Sequence, residues 1–111
     1  MVNQLTTIGA QGHTAINPYE TDPLVNMYCT FDFGERVNCM GQPFPQFPIV
    51  QALICEQIVK KSQYWGKGNL KAIDIGCAVG RTAFELTRSF DFVLGLDYSA
   101  RFIQVASMLQ K

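Results

Sequence analysis

The segment Asp74-Ile75-Gly76-Cys77-Ala78-Val79-Gly80 constrains the fold of this chain more than any other feature of its sequence. The segment follows a short apolar run, residues 70–75, and precedes residues 81–88, which have helical spacing of their apolar side chains. A short apolar run closed by glycines is typical of a strand buried on both faces of a parallel sheet. The sequence therefore predicts a strand, a glycine turn (residues 76–80) and a helix, the opening unit of a doubly wound α/β fold.

A second strand–helix unit follows the first. Residues 92–96 are again short and apolar, as expected for a second buried strand. Ser99 is a typical N-cap, because its side-chain oxygen can accept a backbone N–H of the first helical turn. The apolar residues that follow recur on one helical face: Phe102, Ile103, Ala106 and Leu109. The order strand, helix, strand, helix predicts an α/β protein with a parallel sheet.

The residues before the glycine turn divide into regions of different character. Residues 1–16 are small and polar, which predicts a flexible leader. Residues 17–69 are predicted to form a helical cap region, with one helix after Thr21-Asp22-Pro23 and another opened by Pro48. The second helix has a largely apolar face of five positions: Val50, Leu53, Ile54, Gln57 and Ile58. Residues 70–111 are then the start of the α/β domain.

Composition excludes several classes of partner. Nine basic and nine acidic residues cancel, so neither nucleic acid nor an anionic membrane is an expected partner. No apolar run approaches the ~18 residues of a membrane span, and the N-terminus lacks a signal-peptide pattern, so we expect a cytoplasmic protein. The cysteines at 29, 39, 55 and 77, with His13, lack metal-ligand spacing, so no metal site is predicted.

The glycine turn predicts a ligand site. Small residues at Gly76, Ala78 and Gly80 would let a cofactor approach the backbone, and the helix behind the turn would point amide donors at it. Asp97 ends the second strand, 21 residues after Gly76, where a carboxylate can accept both hydroxyls of a ribose. The alternative is that the glycines serve packing alone.

The residues of the glycine turn favour a nucleotide with a methionine-type group over a dinucleotide. A dinucleotide fingerprint has a third glycine, and this chain has Arg81 in its place, which argues against NAD or FAD. Asp74, two residues before Gly76, suits a cationic methionine-type group better than a phosphate.

At these residues the sequence resembles class I S-adenosylmethionine-dependent methyltransferases. It is more narrowly similar to the methyltransferases of ovothiol biosynthesis, which act on a ring nitrogen of mercaptohistidine. The similar segments are residues 17–22, 28–34, 72–81, 95–99 and 102–103. The resemblance implies a Rossmann-like class I methyltransferase fold, truncated here after its second strand–helix unit.

The resemblance also implies an activity and a set of site residues. The reaction would be methyl transfer from S-adenosylmethionine to a small molecule, an imidazole nitrogen of 5-thiohistidine. The implied cofactor-binding residues are Asp74 and Gly76 at the methionine part, Cys77, Ala78 and Gly80 in the turn, Asp97 at the ribose and Tyr98 at the adenine. Tyr19, Glu20 and Tyr28 are candidates for a lid or acceptor site, the alternative being a capped and packed leading helix. No catalytic residue is predicted.

Two other functions stay open at this point. One is a non-catalytic module that binds S-adenosylmethionine or pairs with another chain. The other is a nucleotide-dependent oxidoreductase. The strand over residues 71–75 would normally lie in the middle of its sheet, so we expect an open edge there to favour self-association and residues 1–111 alone to be nearly inactive.

Overall fold

The computed structural model describes residues 2–7, 17–34, 40–41 and 46–110. A 3-10 helix spans Pro18–Glu20. The strands are β1 (Gln4–Thr7), β2 (Lys71–Ile75) and β3 (Phe92–Asp97). The helices are α1 (Asp22–Phe33), α2 (Phe47–Lys60), α3 (Arg81–Leu86) and α4 (Ala100–Leu109). The described part of the chain is thus a small α/β structure, as the sequence predicted.

The described strands form one parallel sheet in the order β1-β3-β2. In the register of β2 and β3, Ile73 lies opposite Leu94 and Ile75 lies opposite Leu96. The carboxyl ends of these two strands therefore meet at one edge of the sheet, and the glycine turn leaves from that edge. In open parallel sheets this edge is where ligands bind.

The prediction of a flexible leader over residues 1–16 is wrong for its first part. Gln4–Thr7 form β1, which pairs with β3, and the side chain of Asn3 accepts a hydrogen bond of 2.7 Å from the Val93 amide. Val2 is 2 % exposed and belongs to the core. The pairing joins residues about 90 positions apart, and such long-range contacts leave little trace in local sequence. Residues 8–16 lie outside the described part of the chain.

Strand β2, the strand that leads into the glycine turn, was predicted to be buried on both faces, and this is also wrong. Ala72 packs against the core between sheet and helices, together with Val93 and Ala83. Ile73 and Ile75 point to the opposite face and are 62 % and 76 % exposed. No described element covers that face of β2 or pairs with its outer edge.

Helix α2 turns a different face to the core from the one its apolar spacing suggested. Pro48 and Ala52 are its buried residues. The predicted apolar face is largely exposed, with Leu53 at 49 %, Ile54 at 54 % and Ile58 at 66 %. The periodicity identified the helix correctly but not its orientation, because packing of small side chains against α3 decides the orientation.

The start of α4 agrees with the sequence prediction, whereas the start of α1 does not. The Ser99 side chain caps α4 by accepting a hydrogen bond of 3.1 Å from the Phe102 amide, as predicted. Thr21 precedes α1 but donates its hydroxyl to the Pro18 carbonyl at 2.6 Å instead of capping the helix. In the part of the chain that the structure describes, every helix is too short or too polar to cross a membrane.

Candidate functional site

The glycine turn links the carboxyl ends of β2 and β3. The amides of Gly76 and Cys77 both donate to the Leu96 carbonyl, at 2.8 and 2.9 Å, and the Gly80 amide donates to the Cys77 carbonyl at 2.8 Å. Three residues of the turn have positive φ: Gly76 at 78°, Ala78 at 47° and Gly80 at 93°. Alanine is uncommon in this left-handed region, and such backbone outliers concentrate at functional sites.

The two glycines have different physical roles. A Cβ on Gly80 would lie 2.8 Å from the Phe84 ring and 3.2 Å from the Ala106 side chain, so Gly80 permits close helix packing. A Cβ on Gly76 would meet nothing within 4 Å and would project into open space. Gly76 therefore leaves room for a ligand against the backbone, whereas the smallness of Gly80 is required by packing.

Asp97 orients its carboxylate by two backbone bonds. One oxygen accepts the Ala78 amide and the other accepts the Ser99 amide, both at 2.8 Å. The residue is only 9 % exposed, yet it lines a cavity in front of the turn. Each carboxylate oxygen has a second acceptor position, so Asp97 can receive ligand hydroxyls while it keeps both amide bonds.

A cavity of about 390 Å³ lies over the end of β3, and we call it the aromatic cavity. Its lining residues are Tyr19, Tyr28, Gly76, Ala78, Asp97, Tyr98 and Phe102. The Tyr28 and Phe102 rings are 4.9 Å apart, and Tyr19 packs edge-on against both. Tyr98 is half exposed and lines this cavity. The cavity thus combines flat apolar surfaces with one fixed carboxylate.

A second cavity, of about 230 Å³, lies over the end of β2, and we call it the acidic cavity. It is lined by Tyr28, Asp32, Phe47, Pro48, Gln51, Asp74, Ile75, Gly76, Cys77, Ala78 and Thr82. Asp32, Gln51 and Thr82 were not among the predicted site residues. Asp32 follows Tyr28 by one helical turn, which was the available signal for it. Gln51 and Thr82 reach the cavity through the packing of α2 on α3, where the Thr82 hydroxyl donates to the Gln51 side chain at 3.1 Å.

The two cavities meet over the glycine turn. Tyr28, Gly76 and Ala78 line both of them. Together they form what we call the turn groove, with the aromatic cavity at its β3 end and the acidic cavity at its β2 end. Among the described residues, no lysine, arginine or histidine lines either part. The groove therefore favours cationic over anionic groups.

Burial alters the acid–base properties of the turn. It raises the pKa of the Asp74 carboxyl, and the nearby charge of Asp97 adds to this rise. A backbone hydrogen bond from Ala83 lowers the same pKa and offsets part of the rise. One carboxylate oxygen of Asp74 is buried without a hydrogen-bond partner. Burial, with the charges of Asp74 and Asp97, raises the pKa of the Cys77 thiol to about 12. Cys77 is therefore a neutral packing residue beside Gly95, not a nucleophile.

The three lid candidates have different surroundings. Tyr19 and Tyr28 line the groove. The Glu20 carboxylate instead accepts the Ala100 and Arg101 amides, at 2.7 and 3.0 Å, and so caps the start of α4. Glu20 lines neither cavity and has a structural role, but the helix that it caps is α4 and not the leading helix named in the alternative.

Arg81, at the position of a third fingerprint glycine, is not among the residues that line the groove. Its guanidinium pairs with Glu85 at 3.0 Å and lies 5.1 Å from the centre of the Phe33 ring. The cation next to the turn is thus engaged elsewhere and does not line either cavity. Helix α3 is six residues long, shorter than the predicted span over residues 81–88, so its dipole adds little to the site.

The described residues contain no group of three or more His, Cys, Asp or Glu side chains arranged to hold a metal ion. Comparison of the sequence with protein-family models finds no matching family, and comparison with curated proteins finds no significant match. The fold and site define a small α/β protein with a ligand-sized groove at the carboxyl edge of a parallel sheet.

Proposed function

We propose that the chain binds S-adenosylmethionine in the turn groove and belongs to a class I methyltransferase. The observation that carries this proposal is the charge of the groove: Asp32, Asp74 and Asp97 line it, and no cationic side chain does so among the described residues. S-adenosylmethionine carries positive sulfonium and ammonium groups. NAD and FAD carry a pyrophosphate, which these carboxylates would repel.

Along the groove, successive residues suit successive parts of this cofactor. Asp97 suits the ribose hydroxyls, and Tyr98, with the other rings of the aromatic cavity, offers flat surfaces for adenine. Asp74 has a buried, unpartnered carboxylate oxygen, which an ammonium group would satisfy. Open space above Gly76 leaves room for the bond between the two halves of the cofactor.

The bound cofactor supplies a methyl group on a positively charged sulfur, which is reactive without a metal. A neutral nitrogen lone pair of the acceptor would form the new N–CH₃ bond as the S–CH₃ bond breaks, and the electrons of the broken bond would remain on sulfur. For an imidazole acceptor, the proton of the other ring nitrogen would then pass to solvent. The chain's own residues contribute position and orientation, which can supply much of the acceleration for an in-line transfer.

From the resemblance to the ovothiol methyltransferases, we propose an imidazole nitrogen of 5-thiohistidine as the acceptor. A neutral imidazole is nucleophilic near pH 7.

The acceptor can be tested by competition. Methyl transfer from labelled S-adenosylmethionine would be measured with 5-thiohistidine and with histidine, using a longer chain that contains residues 1–111. We expect 5-thiohistidine to be the better substrate. Equal turnover of the two compounds, or activity only on an unrelated acceptor, would contradict the acceptor assignment while leaving cofactor binding intact.

A non-catalytic binding or pairing module is the second candidate, and one observation favours it. The outer edge of β2 and the face that carries Ile73 and Ile75 are uncovered by any described element. Because β2 positions Asp74 and the glycine turn, its partial exposure should loosen the groove. We therefore expect residues 1–111 alone to bind the cofactor weakly and to turn over poorly. Rapid multiple turnover by a monomer of this chain would exclude the module.

A further inference from the structure

We propose that the Tyr28 ring recognises the sulfonium charge of the cofactor and thereby lets the chain distinguish S-adenosylmethionine from its demethylated product. This inference rests on the proposed function and assigns Tyr28 a selectivity role within it. The demethylated product, S-adenosylhomocysteine, has the same two halves but a neutral sulfur. A residue that senses only the charge would hold the substrate and release the product.

The position of Tyr28 carries this inference. Of the described residues outside the glycine turn, only Tyr28 lines both the aromatic and the acidic cavity. If the two cavities hold the adenosyl and methionyl halves, the sulfur that joins the halves lies at their meeting point. Gly76 forms the other side of this point, and a Cβ there would meet nothing within 4 Å. The meeting point is therefore open on the turn side and bounded by Tyr28 on the helix side.

The ring is also held in place. Tyr28 lies on α1, and its ring is 4.9 Å from that of Phe102 and 6.4 Å from that of Tyr19. The face of an aromatic ring attracts cations, and the attraction grows when water is excluded. Asp97 on one side and Asp74 on the other make the surroundings of the meeting point negative. A cation at this point is favoured by the ring and by both carboxylates.

The other aromatic residues of the groove lack this position. Tyr19, Tyr98 and Phe102 line the aromatic cavity but not the acidic cavity. Their rings would contact the adenosyl half, which is identical in substrate and product. Replacing one of them should therefore change the affinity for both compounds alike.

The test compares two affinities in the same variants. In a longer chain that contains residues 1–111, binding of S-adenosylmethionine and of S-adenosylhomocysteine would be measured by calorimetry for the parent, Tyr28→Phe, Tyr28→Leu and the control Tyr98→Leu. We expect Tyr28→Leu to weaken S-adenosylmethionine about tenfold relative to S-adenosylhomocysteine, the effect of losing a cation–π contact. Tyr28→Phe should keep the parent ratio, because the ring remains. Tyr98→Leu should lower both affinities with the ratio unchanged.

A second variant, which keeps the size and shape of the ring, is used in case Tyr28→Leu fails to fold. Pentafluorophenylalanine at position 28 keeps the ring but removes the negative character of its face. It should reproduce the selective loss of S-adenosylmethionine binding. Equal weakening of both ligands by Leu and by the fluorinated ring would overturn the role of Tyr28 and leave the proposed function standing. Failure of the parent to bind either compound would overturn the proposed function itself.

Discussion

The carboxylate of Asp97 accepts a hydrogen bond of 2.8 Å from the backbone amide of Ala78. This bond ties the end of β3 to the middle of the glycine turn, where Ala78 has a φ of 47°. The residue suited to hold a ribose thus also stabilises the turn that leaves space for the rest of the ligand. If Asp97 holds the ribose as proposed, one side chain couples ligand binding to the local structure of the turn.

Replacing Asp97 should therefore affect both properties. Asp97→Ala removes two amide–carboxylate bonds and the proposed ribose contact, so we expect S-adenosylmethionine affinity to fall by about 1.5–3 kcal/mol together with a lower free energy of unfolding. Asp91→Ala is the matched control, because Asp91 accepts the Leu70 amide at 2.8 Å at the opposite end of the strands. It should lower stability without changing affinity. Calorimetry on folded variants measures this, and unchanged affinity in Asp97→Ala would exclude the ribose role.

Ala78 is restricted by its backbone as well as by the groove. A β-branched residue at positive φ is strained, and its extra methyl groups would occupy space between the two cavities. We expect Ala78→Val to lower cofactor affinity at least tenfold and to lower the melting temperature. Ala78→Gly relieves the backbone strain of about 1–2 kcal/mol and should keep affinity within about threefold. Parent-like binding by Ala78→Val would contradict this account of the turn.

Asp74 should reduce the stability of the free chain at neutral pH. Its folded-state pKa is raised, mainly by burial, so the folded chain holds the proton more tightly than the unfolded chain. The free energy of unfolding therefore falls as pH rises from the ordinary carboxyl pKa through the raised one.

We expect Asp74→Asn to melt at a higher temperature than the parent at pH 7, with the difference shrinking in acid. The same variant should bind S-adenosylmethionine more weakly, because the group that destabilises the free chain is the one proposed to receive its ammonium. Thermal melts from pH 3 to pH 8, paired with calorimetry, measure both effects. A variant that is less stable at pH 7 would show that the Asp74 charge is well solvated.

The uncovered side of β2 should make the chain self-associate. Its outer edge has no described partner, and Ile73 and Ile75 are exposed beside it. We expect the apparent mass to rise with concentration and Ile73→Lys to reduce that rise. Ile58→Lys, on the exposed face of α2, is the control that should have little effect. A monodisperse parent across the accessible concentrations, measured by light scattering, would contradict the expectation.

The sequence predicted the features that are encoded locally. The glycine turn, the strands on either side of it and the Ser99 cap depend on neighbouring residues, and the structure confirms them. The sequence could not reveal β1, because its partner strand is distant along the chain. Nor could it reveal that Glu20 caps α4. Asp32 could have been found from its position one helical turn after Tyr28, but Gln51 and Thr82 join the groove only through the packing of α2 on α3. Tertiary contacts, not local preference, decide these positions.

The central claim is that the turn groove holds S-adenosylmethionine and not a dinucleotide. Calorimetric titration of a longer chain that contains residues 1–111 with S-adenosylmethionine, S-adenosylhomocysteine and NAD tests it most directly. We predict saturable, one-to-one binding of S-adenosylmethionine, binding of S-adenosylhomocysteine at the same site, and no saturable binding of NAD. Binding of NAD with equal or higher affinity, or no saturable binding of S-adenosylmethionine, would contradict the claim.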